Sequence, residues 1–169
     1  SVECDPIAHQ TLELRAFYRE FVSREQRPPT AYYRHVRNPD GYTRADLFED
    51  FPAEAEAARR EACLATLGEP EGDAEVARRL DALKKDGIDF SKAVIIGGPP
   101  CQAYSIAGRS RNKGKENYVL EEDNRHYLYK EYVRILDRLN PAIFVMENVK
   151  GMLSSKVDGG GIFHRIMDD

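Results

Sequence analysis

The chain has 169 residues, 41% hydrophobic and 32% charged, the size of one domain with enough apolar mass for a core. No apolar run reaches the length of a bilayer span, and residues 1–5 (Ser-Val-Glu-Cys-Asp) carry acids where a secretory signal needs a basic region and an apolar stretch. A net charge of −4 argues mildly against nucleic acid as a partner of the chain as a whole, yet Gly108-Arg-Ser-Arg-Asn-Lys-Gly-Lys115 holds four cations and no acid. The region from Asp46 to Asp86, by contrast, is rich in acids. The three cysteines, Cys4, Cys63 and Cys101, fit no zinc spacing, so reduced thiols of a cytoplasmic protein are the simplest reading and no metal is expected.

Residues 2–5 read as the tail of a strand. Asp5 follows as a helix N-cap, with Pro6 at the first helical position, where its missing N–H costs nothing. Ile7, Thr11, Leu14, Tyr18 and Phe21 recur at helical spacing and predict a stripe packed on a core, fading near Ser23. Pro28-Pro29 and Asn38-Pro-Asp-Gly41 are turn chemistry. Two Ala-, Arg- and Glu-rich helices are predicted next. One opens near Asp50 or Phe51, with Pro52 in its first turn, and stops at Gly68. The other is capped by Asp73, carries Val76, Leu80 and Leu83 on one face, and stops at Gly87. Their apolar stripes are thin, so residues 24–89 read as a helical insertion on the surface of the main fold, not as its core.

From Ala93 the pattern changes. Ala93-Val-Ile-Ile96 is a continuous apolar run followed by Gly97-Gly98-Pro99-Pro100, and Ala142-Ile-Phe-Val-Met146 is a second, followed by Glu147-Asn148. Leu128, Tyr132, Ile135 and Leu139 mark a helix between them that ends before Pro141. Short unalternating runs flanking a helix predict a buried parallel sheet, so residues 93–146 form a β-loop-α-β unit of an α/β fold.

Ligands of open α/β sheets bind beyond the carboxyl ends of the strands. Here those ends carry Pro100-Cys101-Gln102 and Glu147-Asn148-Val149, so a thiol and a carboxyl reach one sheet edge. The two prolines fix the backbone before Cys101, and the two glycines allow close approach. A Glu directly after Phe-Val-Met is expected to be partly desolvated, which favours a carboxyl able to donate a hydrogen bond. Taken singly, a cysteine such as Cys101 is usually a small buried hydrophobe, and a glutamate at a strand end such as Glu147 is usually a cap or a surface charge.

Longer strings surround both residues. Gly98-Pro-Pro-Cys-Gln-Ala-Tyr-Ser-Ile-Ala-Gly108 resembles motif IV of the DNA cytosine-5 methyltransferases, and Pro141-Ala-Ile-Phe-Val-Met-Glu-Asn-Val-Lys-Gly151 resembles motif VI. Asp123-Asn-Arg-His-Tyr-Leu128 is similar to motif V, and Val2-Glu-Cys-Asp5 with its helix to motif II. Order and spacing match as well, and the four strings cover about half the chain. The resemblance implies a partial Rossmann-like methyltransferase fold, with 1–169 as part of the catalytic domain and 24–89 as a helical insertion within it. It also implies a bacterial, nucleoid-associated protein of a restriction-modification system.

What the resemblance implies chemically is transfer of a methyl group from S-adenosylmethionine to carbon 5 of a flipped-out cytosine in DNA. Cys101 would add to carbon 6 while Glu147 holds the ring nitrogen and exocyclic amine. Glu3 would take the cofactor ribose hydroxyls, Cys4 would lie against the adenine, and Pro100 and Leu128 would line the cofactor. Gln102, Ser105, Arg109 and Arg111 belong to the loop that closes on DNA, and Pro99 and Asn148 support the site. The motif I glycine turn, the recognition domain and the adenine-contacting acid of motif III are not found in these residues. The expectation is therefore of a fragment that neither binds the cofactor tightly nor methylates DNA by itself. Three other readings stay open: a tRNA cytosine-5 methyltransferase, a degenerate non-catalytic module, and an unrelated enzyme of thymidylate-synthase type, against which the Glu-Asn-Val string and parallel-sheet pattern speak.

Overall fold

A computed structural model describes residues 1–98, 128–157 and 160–168. They belong to two compact units, Ser1–Asp81 and Ala82–Asp169. The class is α/β, as expected, with short parallel strand pairs among helices. No helix of the described residues is long and apolar enough to cross a membrane.

In the first unit, β1 (Val2–Glu3) leads into α1 (Pro6–Val22). The expected cap is present: one carboxylate oxygen of Asp5 accepts from the backbone N–H groups of Ile7 and Ala8, both at 2.8 Å. The buried face of α1 is rotated from the one the spacing suggests. Glu13, Ala16, Phe17 and Phe21 are buried, whereas Ile7 is 77% exposed. A carboxylate can occupy that face because Arg44 pairs with Glu13 and Arg59 lies 3.9 Å from it.

Two helices that the turn signals concealed follow, α2 (Thr30–Arg37) and α3 (Arg44–Asp50). Reciprocal hydrogen bonds between Thr43 and Asp46 cap α3: Asp46 accepts from the Thr43 N–H at 2.8 Å, and Thr43 Oγ1 from the Asp46 N–H at 3.2 Å. Next comes α4 (Pro52–Glu61), which stops well short of Gly68 because Cys63–Leu64 forms a strand, β2, parallel to β1. The residues expected to decorate the surface supply much of this unit's core. Tyr42, Leu47, Phe48, Ala55 and Ala58 bury with Ala16, Phe17 and Phe21. The Phe17 ring stacks on Phe48 at 5.3 Å and meets Phe21 edge-on at 5.3 Å.

The helix α5 (Pro70–Lys85) runs across the boundary between the units, and its Arg79 explains where α4 ends. The Nη1 of Arg79 donates to the carbonyls of Arg59 (3.0 Å), Arg60 (2.8 Å) and Ala62 (3.1 Å), the last-turn acceptors that a helix leaves open. Glu75 fixes the guanidinium from its other side through Nε at 2.7 Å.

The second unit holds β3 (Val94–Gly97), α6 (Tyr129–Leu139) and β4 (Ile143–Met146). The two strands pair in parallel, Val94 opposite Ile143 and Gly97 opposite Met146, as the β-loop-α-β reading requires. Asn140, at φ 44°, ends α6 in the left-handed region just ahead of Pro141. Then come α7 (Gly151–Ser154), an antiparallel pair β5 (Lys156–Val157) and β6 (Gly160–Gly161), and α8 (Ile162–Asp168). Tyr129, Met152 and Ile162 bury together, with Val133 and Ile166 against them.

One expectation for the sheet fails. Both strands were expected to be buried, yet Val94 (54%), Ile96 (73%), Ile143 (58%) and Val145 (46%) are exposed. In the paired register these four alternate onto one face. The opposite face, which carries Phe144 and Met146, is the one that α6 approaches through Val133 and Leu136.

Two outcomes follow for the first unit. Arg79→Ala leaves the α4 carbonyls without their donor and is expected to cost about 1–3 kcal/mol in urea unfolding; a loss within about 0.5 kcal/mol, the range of ordinary surface changes, would refute the role of Arg79. Hydrogen bonds from Arg78 and then Arg79 hold the Glu75 carboxyl down at about 2, below its ordinary 4.5. A carboxyl depressed on folding adds stability above its unfolded pKa and loses it as the pH falls toward the folded value. Wild type is therefore expected to lose more stability than Glu75→Gln between about pH 4.5 and 2, measured by thermal unfolding across that window.

Candidate active site

The site grows from the carboxyl ends of β3 and β4. The ladder closes with the Glu147 N–H donating to the Gly97 carbonyl at 3.0 Å, one residue beyond the last paired residues. This bond brings the chain leaving β3 onto the chain leaving β4. A Cβ on Gly98 would collide with the Glu147 carbonyl oxygen and lie 3.1 Å from its carbon, so the backbone passes where only glycine fits. At Gly97 a Cβ would stand 3.0 Å from the Tyr132 ring. The two glycines thus have separate causes, one a backbone crossing and the other an aromatic ring.

Tyr132 is the residue that sequence reading missed as part of the site. Its hydroxyl lies 3.0 Å from the Val145 carbonyl oxygen and 3.3 Å from that of Ile95, so one proton is shared between acceptors on the two strands. Burial pushes this phenol up from its ordinary range, which keeps it a neutral donor. The available signal was a polar-tipped aromatic in the apolar stripe of α6, which the periodicity had counted simply as a core position.

Glu147 follows β4 directly and is exposed, contrary to the desolvation expected of it. Its neighbours Phe144 and Val145 are themselves 56% and 46% exposed, so the preceding strand gives the carboxyl no apolar shelter. The Asn148 side-chain oxygen accepts from the N–H of the next residue, Val149, at 2.8 Å, which holds the amide against its own backbone. Beside it lies an apolar cavity of about 600 Å³ between β4, α6, α7 and α8, lined by Phe144, Met146, Met152, Phe163 and Ile166 among others. Asn148 and Lys150 supply polar groups to its wall.

Of the cofactor residues expected from sequence, Glu3 and Cys4 lie at the end of β1. One carboxylate oxygen of Glu3 accepts from the N–H groups of Cys4 (2.8 Å) and Asp5 (2.9 Å), which fixes a half-buried acceptor at a strand end. A carboxylate held in this way is an acceptor to which sugar hydroxyls can donate. Cys4 is exposed, and its thiol is pushed up by desolvation and by Glu3, so it is no thiolate nucleophile at neutral pH. Leu128 is half-buried just before α6, and its carbonyl accepts from Glu131 at 3.2 Å. Pro99, Pro100, Cys101, Gln102, Ser105, Arg109 and Arg111 lie outside the described residues.

The strand-end contacts give two expected outcomes. Gly98→Ala should cost about 1–3 kcal/mol and shift the amide resonances of Glu147 and Asn148. Tyr132→Phe, which removes only the shared hydroxyl, should cost about 1 kcal/mol in the same unfolding measurement. Unchanged resonances in the Gly98 variant would mean that the two strand ends do not abut.

The sequence model for C-5 cytosine-specific DNA methylase matches residues 70–168. The type II methyltransferase M.Bpa9945I of Bacillus paralicheniformis is 36% identical over 166 residues, which is 92% of this chain and 36% of that protein. The type II methyltransferase M.BspRI of Lysinibacillus sphaericus is 39% identical over 79 residues, 47% of this chain and 16% of its own length. M.FnuDI of Fusobacterium nucleatum, also a type II methyltransferase, is 48% identical over 62 residues, 37% of this chain and 16% of its own. The chain thus spans about a third of the first of these relatives and less of the other two. No solved structure matches it. With more than half of its residues under the family model, the chain belongs to the C-5 cytosine-specific DNA methylase family.

Proposed function

We propose that this chain carries the cytosine-directed groups of an enzyme that methylates carbon 5 of cytosine in DNA, within a cytoplasmic, nucleoid-associated restriction-modification system. Residues 1–169 form part of its catalytic domain, with 24–89 as a helical elaboration, and this part alone does not transfer methyl groups. The observation that carries the reading is the abutment of the two strand ends. Gly98 passes against the Glu147 carbonyl, so the chain that continues to Cys101 three residues later leaves from beside Glu147.

The Cys101 thiolate adds to carbon 6 of a flipped cytosine, forming a carbon–sulfur bond and pushing negative charge onto the ring. Glu147 hydrogen-bonds the ring nitrogen and exocyclic amine where that charge collects. S-adenosylmethionine supplies the methyl group to carbon 5, and Glu3, Cys4, Pro100 and Leu128 are the residues that would hold it. Loss of the carbon-5 proton then expels Cys101 and restores the aromatic ring. Gln102, Ser105, Arg109 and Arg111 contact the DNA backbone and bases around the extruded nucleotide. Pro99 stiffens the approach to Cys101, and Asn148 supports the site by buttressing the Pro-Cys loop.

The test is transfer of a labelled methyl group to duplex DNA and, in parallel, to tRNA, by a protein of the relatives' length containing this chain. Label in DNA cytosine is expected. Cys101→Ala should abolish it, and Glu147→Gln should lower the rate by about 10²–10³-fold, the cost of losing one charge-stabilising contact. Label in tRNA alone would replace the substrate, and transfer that survives Cys101→Ala would overturn the covalent step.

A further inference from the structure

The basic loop at 108–115 is not the chain's only concentration of positive charge. Residues 15–37 hold six arginines and His35 against two glutamates, in a chain whose net charge is −4. The second half of α1 and the start of α2 gather part of that charge around tyrosines. Arg15, Tyr18, Arg19 and Tyr32 line an open groove of about 340 Å³. The Tyr18 and Tyr32 rings are 5.2 Å apart, and Tyr33 meets Tyr32 edge-on at 5.3 Å. Arg15 lies near Tyr32, and Arg27 near Tyr33.

The arginines divide by their partners. Arg19 is paired with Glu61, and Arg24 with Glu20 and Glu54. Arg15 and Arg27 are exposed and belong to no ion pair among the described residues. Core packing accounts for Tyr32, which stacks on Phe17 at 6.5 Å, but Tyr18 and exposed Tyr33 extend that ring out among the arginines. Guanidinium forks and phenolic hydroxyls are together the donor set that takes phosphate oxygens: the fork binds two at once, and the hydroxyl fixes a third without adding charge. Arg15 sets one such fork on the wall of the groove, while that of Arg19, one turn along the helix, is held by Glu61.

We propose that Arg15, Tyr18, Arg27, Tyr32 and Tyr33 form a contact surface for the phosphodiester backbone of duplex DNA, in addition to the contacts proposed for Arg109 and Arg111. The inference rests on the reading of the chain as part of a DNA methyltransferase. It reads no sequence; it adds affinity and salt dependence on duplex.

The experiment measures binding of the 169-residue chain to a labelled duplex by anisotropy across a salt series. Arg15→Gln with Arg27→Gln should weaken binding about tenfold at low salt and flatten the log–log salt slope by about 2, two phosphate contacts' worth. Arg60→Gln on α4, a paired and exposed arginine, should leave the slope unchanged. An unchanged slope in the double variant, equal losses in Arg60→Gln, or no duplex binding by the parent chain overturns the inference. Methyl transfer to DNA by the longer protein is unaffected by any of these three results, so failure here leaves the enzymatic reading standing, whereas label in tRNA alone removes both.

Discussion

The hydrogen bond from the Glu147 N–H to the Gly97 carbonyl, with Gly98 against the carbonyl of the same glutamate, constrains everything around the candidate site. A parallel pair has no hairpin to hold its ends together, so the register must come from the ladder and from whatever braces it. Here the brace is Tyr132, whose single hydroxyl proton is offered to a carbonyl on each strand. Glycine at 98 then becomes a geometric requirement, because a Cβ there would meet the Glu147 carbonyl and separate the strand ends.

The first unit rests on a different kind of interaction. Its core is a set of stacked and edge-on aromatic rings from α1, α3 and the residues between α3 and α4, closed by the alanines of α4. Charged groups finish what the rings begin. Arg44 and Arg59 compensate Glu13 on the buried face of α1, and Arg79 receives the open carbonyls at the end of α4. Short alanine-rich helices have little apolar surface of their own, so such arginines decide where they stop and how they are docked.

How far the sequence could be read depended on the range of the signal. Local chemistry was legible: the Asp5 cap with Pro6, the end of α6 before Pro141, and the two apolar runs that pair in parallel were all found where the residues put them. Cancelled or non-local signals were not. α2 lies between Pro28-Pro29 and Asn38-Pro-Asp-Gly41, and its inward face is short, Ala31 and Tyr32 with a buried His35 in place of an apolar residue. β2 is two residues long and exists through its pairing with β1, some sixty residues away in the chain. α3 carried a readable mark, Thr43 with Asp46 three residues on, that was overlooked. The buried face of α1 differs from the apolar spacing because it includes Glu13, whose compensating arginines, Arg44 and Arg59, lie far along the sequence. At the site, the glycines were read as permissive in general, but only the structure shows which one lies against Glu147 and which against Tyr132.

The central claim is that the segment leaving β3 delivers Cys101 to the cytosine that Glu147 holds. The most direct measurement is the position of a covalent adduct: duplex DNA bearing 5-fluorocytosine, incubated with S-adenosylmethionine and a protein of the relatives' length, then digested with trypsin and mapped by mass spectrometry. Fluorine cannot leave as the carbon-5 proton does, so the sulfur stays bonded to carbon 6. The adduct is expected on the tryptic peptide Ala93–Arg109, at Cys101. An adduct at Cys4 or Cys63, or none on DNA that is otherwise methylated, would contradict it.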